Sequence, residues 1–258
     1  MTGTLPFNAI YVIVLRELKK FFRERSRLVS AIARPMIWLF FVGAGMSRIV
    51  APSGGVTYTQ FIFPGILGLT ILFSAIFSSI SIIWDKEFGF MKEILVAPVP
   101  RYSIVIGKAL SGTVVSTLQA AVILMVFPIV GLSLDPLTIM AVIAVCALLA
   151  FCVSAFGIVL ATFYESYESF SVIMNFIIMP MFFLSGAMYP VKLLPPALQV
   201  VSRLNPLTYG IDAIKHLVTP GAGGKLSADF PFALDIAVVA GLALAFVLVS
   251  ARLFERKG

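Results

Sequence analysis

FIFPGILGLTILFSAIFSSISII, Phe61–Ile83, carries no charged residue. A helix rises about 1.5 Å per residue, so roughly 20 apolar residues cross the hydrocarbon layer of a bilayer. This run is long enough to do so. At Trp84 the character changes abruptly. WDKEFGFMKEILVAPVPRYSIVIGK, Trp84–Lys108, holds seven charges, and another long apolar run follows. Together they read as a membrane-spanning helix, a charged connector and a second span.

Composition agrees. Of 258 residues, 60% are hydrophobic and 12% charged, whereas soluble domains carry about 25% charge. A soluble chain of this size has too little interior to hide so much apolar surface. Lipid removes the problem by solvating the outside face. The net charge of +7 does not point to nucleic acid, because the basic residues sit at the ends of apolar runs, where topology rules place them. Cys146 and Cys152 lie within one apolar run. They read as small buried or lipid-facing side chains and support neither a disulfide framework nor a metal site.

The expected fold is an all-α integral membrane protein with six spans. They are placed at Ala31–Ile49, Phe61–Ile83, Ala109–Leu132, Ile139–Phe163, Phe170–Met188 and Phe232–Ala251. Together they form a domain over residues 31–251. Residues 1–30 show no cleavable signal peptide and read as mature cytoplasmic sequence. Ile10, Val14, Leu18, Phe21, Phe22 and Leu28 recur there at helical spacing among basic residues. That pattern predicts an amphipathic helix at the inner membrane interface. With the N-terminus inside, fourteen of the nineteen Lys and Arg residues fall on the inner side. This asymmetry, and the even span count, put both termini in the cytoplasm. The outer segment 189–229 contains two moderately apolar stretches split at Asn205-Pro206. Neither is long enough to span, so both read as short re-entrant helices packed against the other spans.

Enzymatic chemistry finds little footing. GAGGKLS, Gly221–Ser227, lacks the spacing of a phosphate-binding loop. The single histidine, His216, reads as an interface or loop residue, since one histidine makes no usual metal or catalytic cluster. Ser154 and Ser166 have no evident base. Asp235 falls near the outer headgroups, and Glu165 and Glu168 sit in a short inner turn. The span centres lack the ionisable groups that ion-coupled transporters keep at mid-membrane. A transporter built this way needs outside energy. The connector 84–108 suits docking of a soluble partner: Phe88, Phe90, Met91, Ile94 and Leu95 give it an apolar side, and its charges face the other way.

These residues also resemble the ABC-2 type permeases, the membrane subunits of ATP-binding-cassette exporters, in their drug and lipo-oligosaccharide branch. The likeness rests on FIFPGILGLTILFSA (Phe61–Ala75), on the connector 84–108, and on FFLSGAMYPVKLLPPALQVVSRLNPLTYGIDAIK (Phe182–Lys215). The resemblance implies export through a bacterial cytoplasmic membrane by two permeases, identical copies or this chain paired with a similar one, and two ABC ATPase subunits. It implies an amphipathic, lipid-linked, glycan or drug-like substrate, moved against membrane lipid. ATP and Mg2+ would sit on the partner ATPase, with no cofactor on this chain. Glu87, Gly89, Lys92, Glu93, Pro98 and Arg101 become coupling candidates, with Arg16, Lys20 and Arg23 as further ones. The tail 252–258, ending in RLFERKG, is expected to be cytoplasmic and too short for a fused ATPase. The substrate-binding residues stay open. The rival readings are an ion-gradient-driven secondary transporter, a non-transporting structural or regulatory membrane subunit, and an intramembrane enzyme.

Overall fold

The structure, a computed structural model, describes residues 6–23, 25–50, 52, 55–89, 100–219 and 227–256. Its regular elements are helices. Helix α1 (Pro6–Arg23) is followed by α2 (Arg25–Ile37), which widens into a π-helical stretch, Trp38–Gly43, and ends in Ala44–Met46. Helix α3 (Tyr58–Ser78) is separated by a single turn residue, Ser79, from α4 (Ile80–Glu87). Then come α5 (Arg101–Leu124), α6 (Pro136–Phe163) and α7 (Tyr167–Phe183). Two short helices, α8 (Pro196–Arg203) and α9 (Pro206–Val218), precede the last, α10 (Phe232–Arg256).

Local chemistry sets several of these boundaries. Thr57 and Gln60 form a reciprocal capping box at the start of α3, which satisfies backbone donors that a helix start leaves free. Asp135 accepts from the N–H groups of Leu137 and Thr138, with Pro136 at the first position of α6. Asn205 does the same for Leu207 at the start of α9, again with proline first. The break expected at Asn205-Pro206 is therefore a helix start. Helix α4 ends at Gly89, whose φ is +79°, a conformation glycine adopts without steric cost.

Helix α3 is the axis of the bundle. Its apolar window is 83% buried, that of α10 only 17%. Around α3 pack α5, α6 and α9, while α10 lies on the outside of α6 and α9. Close approach depends on small residues: a Cβ at Gly65 would lie 2.7 Å from the Ala187 carbonyl oxygen, and one at Gly68 2.5 Å from the Ile211 side chain. Thus α9 is seated directly on the central helix. This covers non-spanning backbone with protein.

Among the described residues, four helices are long and apolar enough to cross a membrane: Tyr58–Glu87, Arg101–Leu124, Pro136–Phe163 and Phe232–Phe254. Two apolar helices, Ile32–Met46 and Tyr167–Phe183, are shorter. The chain is an all-α integral membrane protein. Several boundaries differ from the sequence expectation. The third span begins at Arg101 rather than Ala109 and ends at Leu124, before the turns that contain Pro128. Its first two turns are polar enough to look like connector. The helix expected as the fifth span stops at Phe183 rather than Met188, because the chain turns at Gly186 with φ +74°. The first is helical only to Met46.

Candidate functional site

At one end of the bundle, α1 lies against α5. Gly107 makes this possible, since a Cβ there would sit 3.2 Å from the Ile13 side chain. The contact brings together four charged groups from three separate stretches of the sequence. Lys108 Nζ, only 4% exposed, donates to Asp85 Oδ2 at 2.6 Å, to Glu17 Oε1 at 3.0 Å and to Ser81 Oγ at 2.9 Å. Arg16 donates to Glu17 Oε1 at 2.9 Å and to Asp85 Oδ2 at 3.3 Å. Two cations meet two carboxylates, and Ser81 takes a remaining ammonium proton. A buried ion pair survives desolvation only with such additional hydrogen bonds. Burial works against ionising Glu17, yet Lys108, with help from Arg16, more than offsets it and holds the carboxyl below its usual pKa. Burial likewise opposes the Arg16 charge, and Glu17 and Asp85 outweigh it, raising the pKa.

Three further ties surround this quartet. Lys20 Nζ lies 4.1 Å from the centroid of the Trp84 ring, a cation–π contact. Lys86 Nζ donates to the carbonyl oxygens of Ala161, Thr162 and Tyr164 at 2.9, 3.4 and 3.1 Å. A cation at a helix C-terminus meets the negative end of its dipole. Arg101 Nη1 donates to the Phe254 carbonyl at 3.0 Å. The two flanks of the connector are thus fastened to α1, to the end of α6 and to the end of α10.

Of the coupling candidates, Arg16, Lys20 and Arg101 are brought into this assembly. Arg23, Glu87 and Gly89 are exposed at the same end. Lys92, Glu93 and Pro98 lie outside the described residues. Sequence reasoning missed Lys108, which anchors Asp85, and Glu17, which shares the same ammonium. The available signal was a lysine at the head of an apolar run, Lys108, opposite in sign to an aspartate closing another, Asp85.

Beside the ties is a half-open cleft of about 290 Å³ between α2, α3, α5 and α7. Its wall is mostly apolar, with Leu69, Phe73, Phe77 and Trp84, and includes Arg34 and Gln119. The Arg34 guanidinium lies 4.6 Å from the Phe73 ring centroid. Such a cleft suits a ligand with an apolar body and an acceptor or negative group.

The opposite end carries its own polar cluster. Lys215 Nζ donates to Gly186 O at 2.8 Å and lies 4.6 Å from the Phe61 centroid. Asp212 accepts from the N–H groups of Asp229 and Phe230 at 2.9 and 2.8 Å. Asp229 in turn accepts from Val191 N–H at 2.9 Å. These bonds tie α9 to the turn before α10.

Comparison with known proteins places these features in a wider group. A family model described as "ABC-2 type transporter" matches residues 8–218. A "Putative transport permease ycf38" of Cyanophora paradoxa is 30% identical over 263 residues, covering 99% of this chain and 91% of the relative. "Nodulation protein J" of Rhizobium leguminosarum bv. trifolii is 30% identical over 195 residues, 75% of this chain and 74% of the relative. "Inner membrane transport permease YadH" of Escherichia coli K12 is 25% identical over 255 residues, 98% and 96% of the two chains.

Proposed function

The chain belongs to the ABC-2 type transporter family, and from that membership we propose that it is the membrane half of an ATP-driven exporter of amphipathic or lipid-linked cargo. It is a non-catalytic transport permease subunit. In the proposed complex two copies pair with two ATPase subunits, which bind ATP and Mg2+. Six spans cross the cytoplasmic membrane, with Ile32–Met46 and Tyr167–Phe183 as the two shorter ones and both termini inside. Helix α1 lies at the inner interface. Its exposed apolar stripe, Phe7, Tyr11, Leu15 and Phe22, supports that placement.

The single observation that carries the reading is the fastening of the connector flanks. A partner that moves the exposed Glu87–Gly89 corner pulls directly on α4. Through the Asp85–Lys108 pair it pulls on α5, through Lys86 on α6, and through Arg16 and Lys20 on α1. Force applied at one loop therefore reaches several spans at once. ATP binding that favours the closed ATPase dimer would supply the population shift. Cargo would contact the cleft beside Arg34 and leave along the interface between the two permeases.

The test is reconstitution with the partner ATPase. Glu87→Ala with Glu93→Ala is expected to insert normally while ATPase association and cargo-dependent ATP turnover fall. Undiminished cargo movement in that variant, or vigorous movement by the permease without any ATPase, overturns the proposal.

A further inference from the structure

Asp235 opens α10 with a carboxylate that is fully buried, and neither of its oxygens receives a hydrogen bond among the described residues. A carboxylate ion in such a place is held only when positive charge meets it. Its charged neighbours define what could do so. His216 Nε2, from α9, is 3.8 Å from Asp235 Oδ2. An Asp212 oxygen, one helical turn earlier on α9, completes a group whose ligand atoms all lie within 4.8 Å of one another. The Phe230 carbonyl oxygen stands 2.7 Å from His216 Nε2. Lys215, the nearest cation to Asp212 at 3.9 Å, is directed to Gly186 O and the face of Phe61 instead.

We propose that Asp212, His216 and Asp235 form a divalent transition-metal site, of the zinc class, that joins α9 to the first turn of α10. One imidazole nitrogen with two carboxylate oxygens is a zinc-type donor set, and the nitrogen favours zinc over magnesium or calcium. The Phe230 carbonyl is placed to supply a fourth donor. Tetrahedral zinc with bonds of about 2.0–2.1 Å keeps its ligands roughly 3.3 Å apart. The His216–Asp235 edge already approaches that spacing, and a turn of the Asp235 side chain, which receives no hydrogen bond among the described residues, draws it closer to Asp212, whose backbone donors stay in place. Coordination through Nε2 uses the Nδ1–H tautomer of a neutral imidazole, so the bond to Phe230 O is given up without net proton loss. Charge favours the same outcome: among the described residues, Asp212, Asp229 and Asp235 outnumber Lys192 and Lys215 locally.

The chain has one histidine, which makes the test clean. Protein purified without a polyhistidine tag is stripped with a chelator and titrated with zinc chloride. Bound zinc is counted by elemental analysis, the unfolding midpoint is followed, and cobalt(II) absorption reports coordination geometry. About one zinc per chain, a chelator-reversible rise in midpoint and a tetrahedral cobalt spectrum are expected. Asp235→Asn and the half-buried His216→Gln should each weaken zinc more than the roughly 10–100-fold caused by losing a mere supporting partner. Absence of zinc binding overturns the proposal. So does unchanged binding in His216→Gln, or an equal midpoint rise with calcium or magnesium.

Discussion

Lys86 reaches Tyr164: its ammonium lies 3.1 Å from the Tyr164 carbonyl oxygen and also hydrogen-bonds Ala161 and Thr162. One side chain at the end of the central helix pair thus closes the C-terminus of α6. A cation in this position contributes about 0.3–1 kcal/mol, up to ~2 when partly buried. Lys86→Met should therefore lower the unfolding midpoint in detergent by a few degrees, and Lys86→Arg by less. An unchanged midpoint for Lys86→Met removes the capping role.

The Asp85–Lys108 pair makes a stronger prediction. Breaking a buried pair by removing one partner costs about 3–5 kcal/mol, because the survivor is left uncompensated. Lys108→Met leaves Glu17 and Asp85 facing each other with only the half-exposed Arg16 between them. It should be the worse single change. Asp85→Asn leaves Glu17 as a partner for Lys108 and should be milder. The double variant should recover part of the loss. A thermal-unfolding cycle that is strictly additive contradicts the coupling.

Acid should release α1. The folded-state pKa of Glu17 is lowered, so its contribution is fully present above the unfolded value, about 4.3. It is lost as pH falls through the lower folded value. The window thus lies below pH about 4.3. Lys20 sits on Trp84, so Trp84 emission in a Trp38→Phe background reports detachment. Glu17→Gln should abolish the acid transition, and its persistence in that variant shows that another group causes it.

Gly65 and Gly241 separate close packing from helix propensity. A Cβ at Gly65 meets backbone and side chain of Ala187, whereas at Gly241 nothing lies within 4 Å. Gly65→Ala should destabilise by about 1–3 kcal/mol through overpacking. Gly241→Ala should be neutral or stabilising by up to about 1 kcal/mol. Equal tolerance of both in a thermal assay places Ala187 farther from α3 than described here.

What was legible in the sequence was what depends on neighbours in the chain. Long, predominantly apolar runs announced the four long helices, and Asn205-Pro206 announced a helix start. The ends of helices were less legible. Arg101–Lys108 is charged at both ends and looked like connector, although burial against α1 and α3 makes it the first two turns of a span. Least legible were partnerships across space. Glu17 and Lys108 stand 91 positions apart, and no periodicity links them. His216 and Asp235 were each read alone, one as a loop residue and one as a headgroup neighbour. Only the packing of α9 on α10 brings them together.

The Arg101–Phe254 hydrogen bond has a consequence for biosynthesis. The quartet of Arg16, Glu17, Asp85 and Lys108 needs nothing beyond residue 108, so it is able to set while the ribosome is still at work. The acceptor for Arg101 lies 153 positions further along the chain and is translated well after it. That end of the bundle is therefore latched in two instalments, an early core and a late clasp. Truncations that remove α10 should leave the early core assembled and take away only the later Arg101–Phe254 bond.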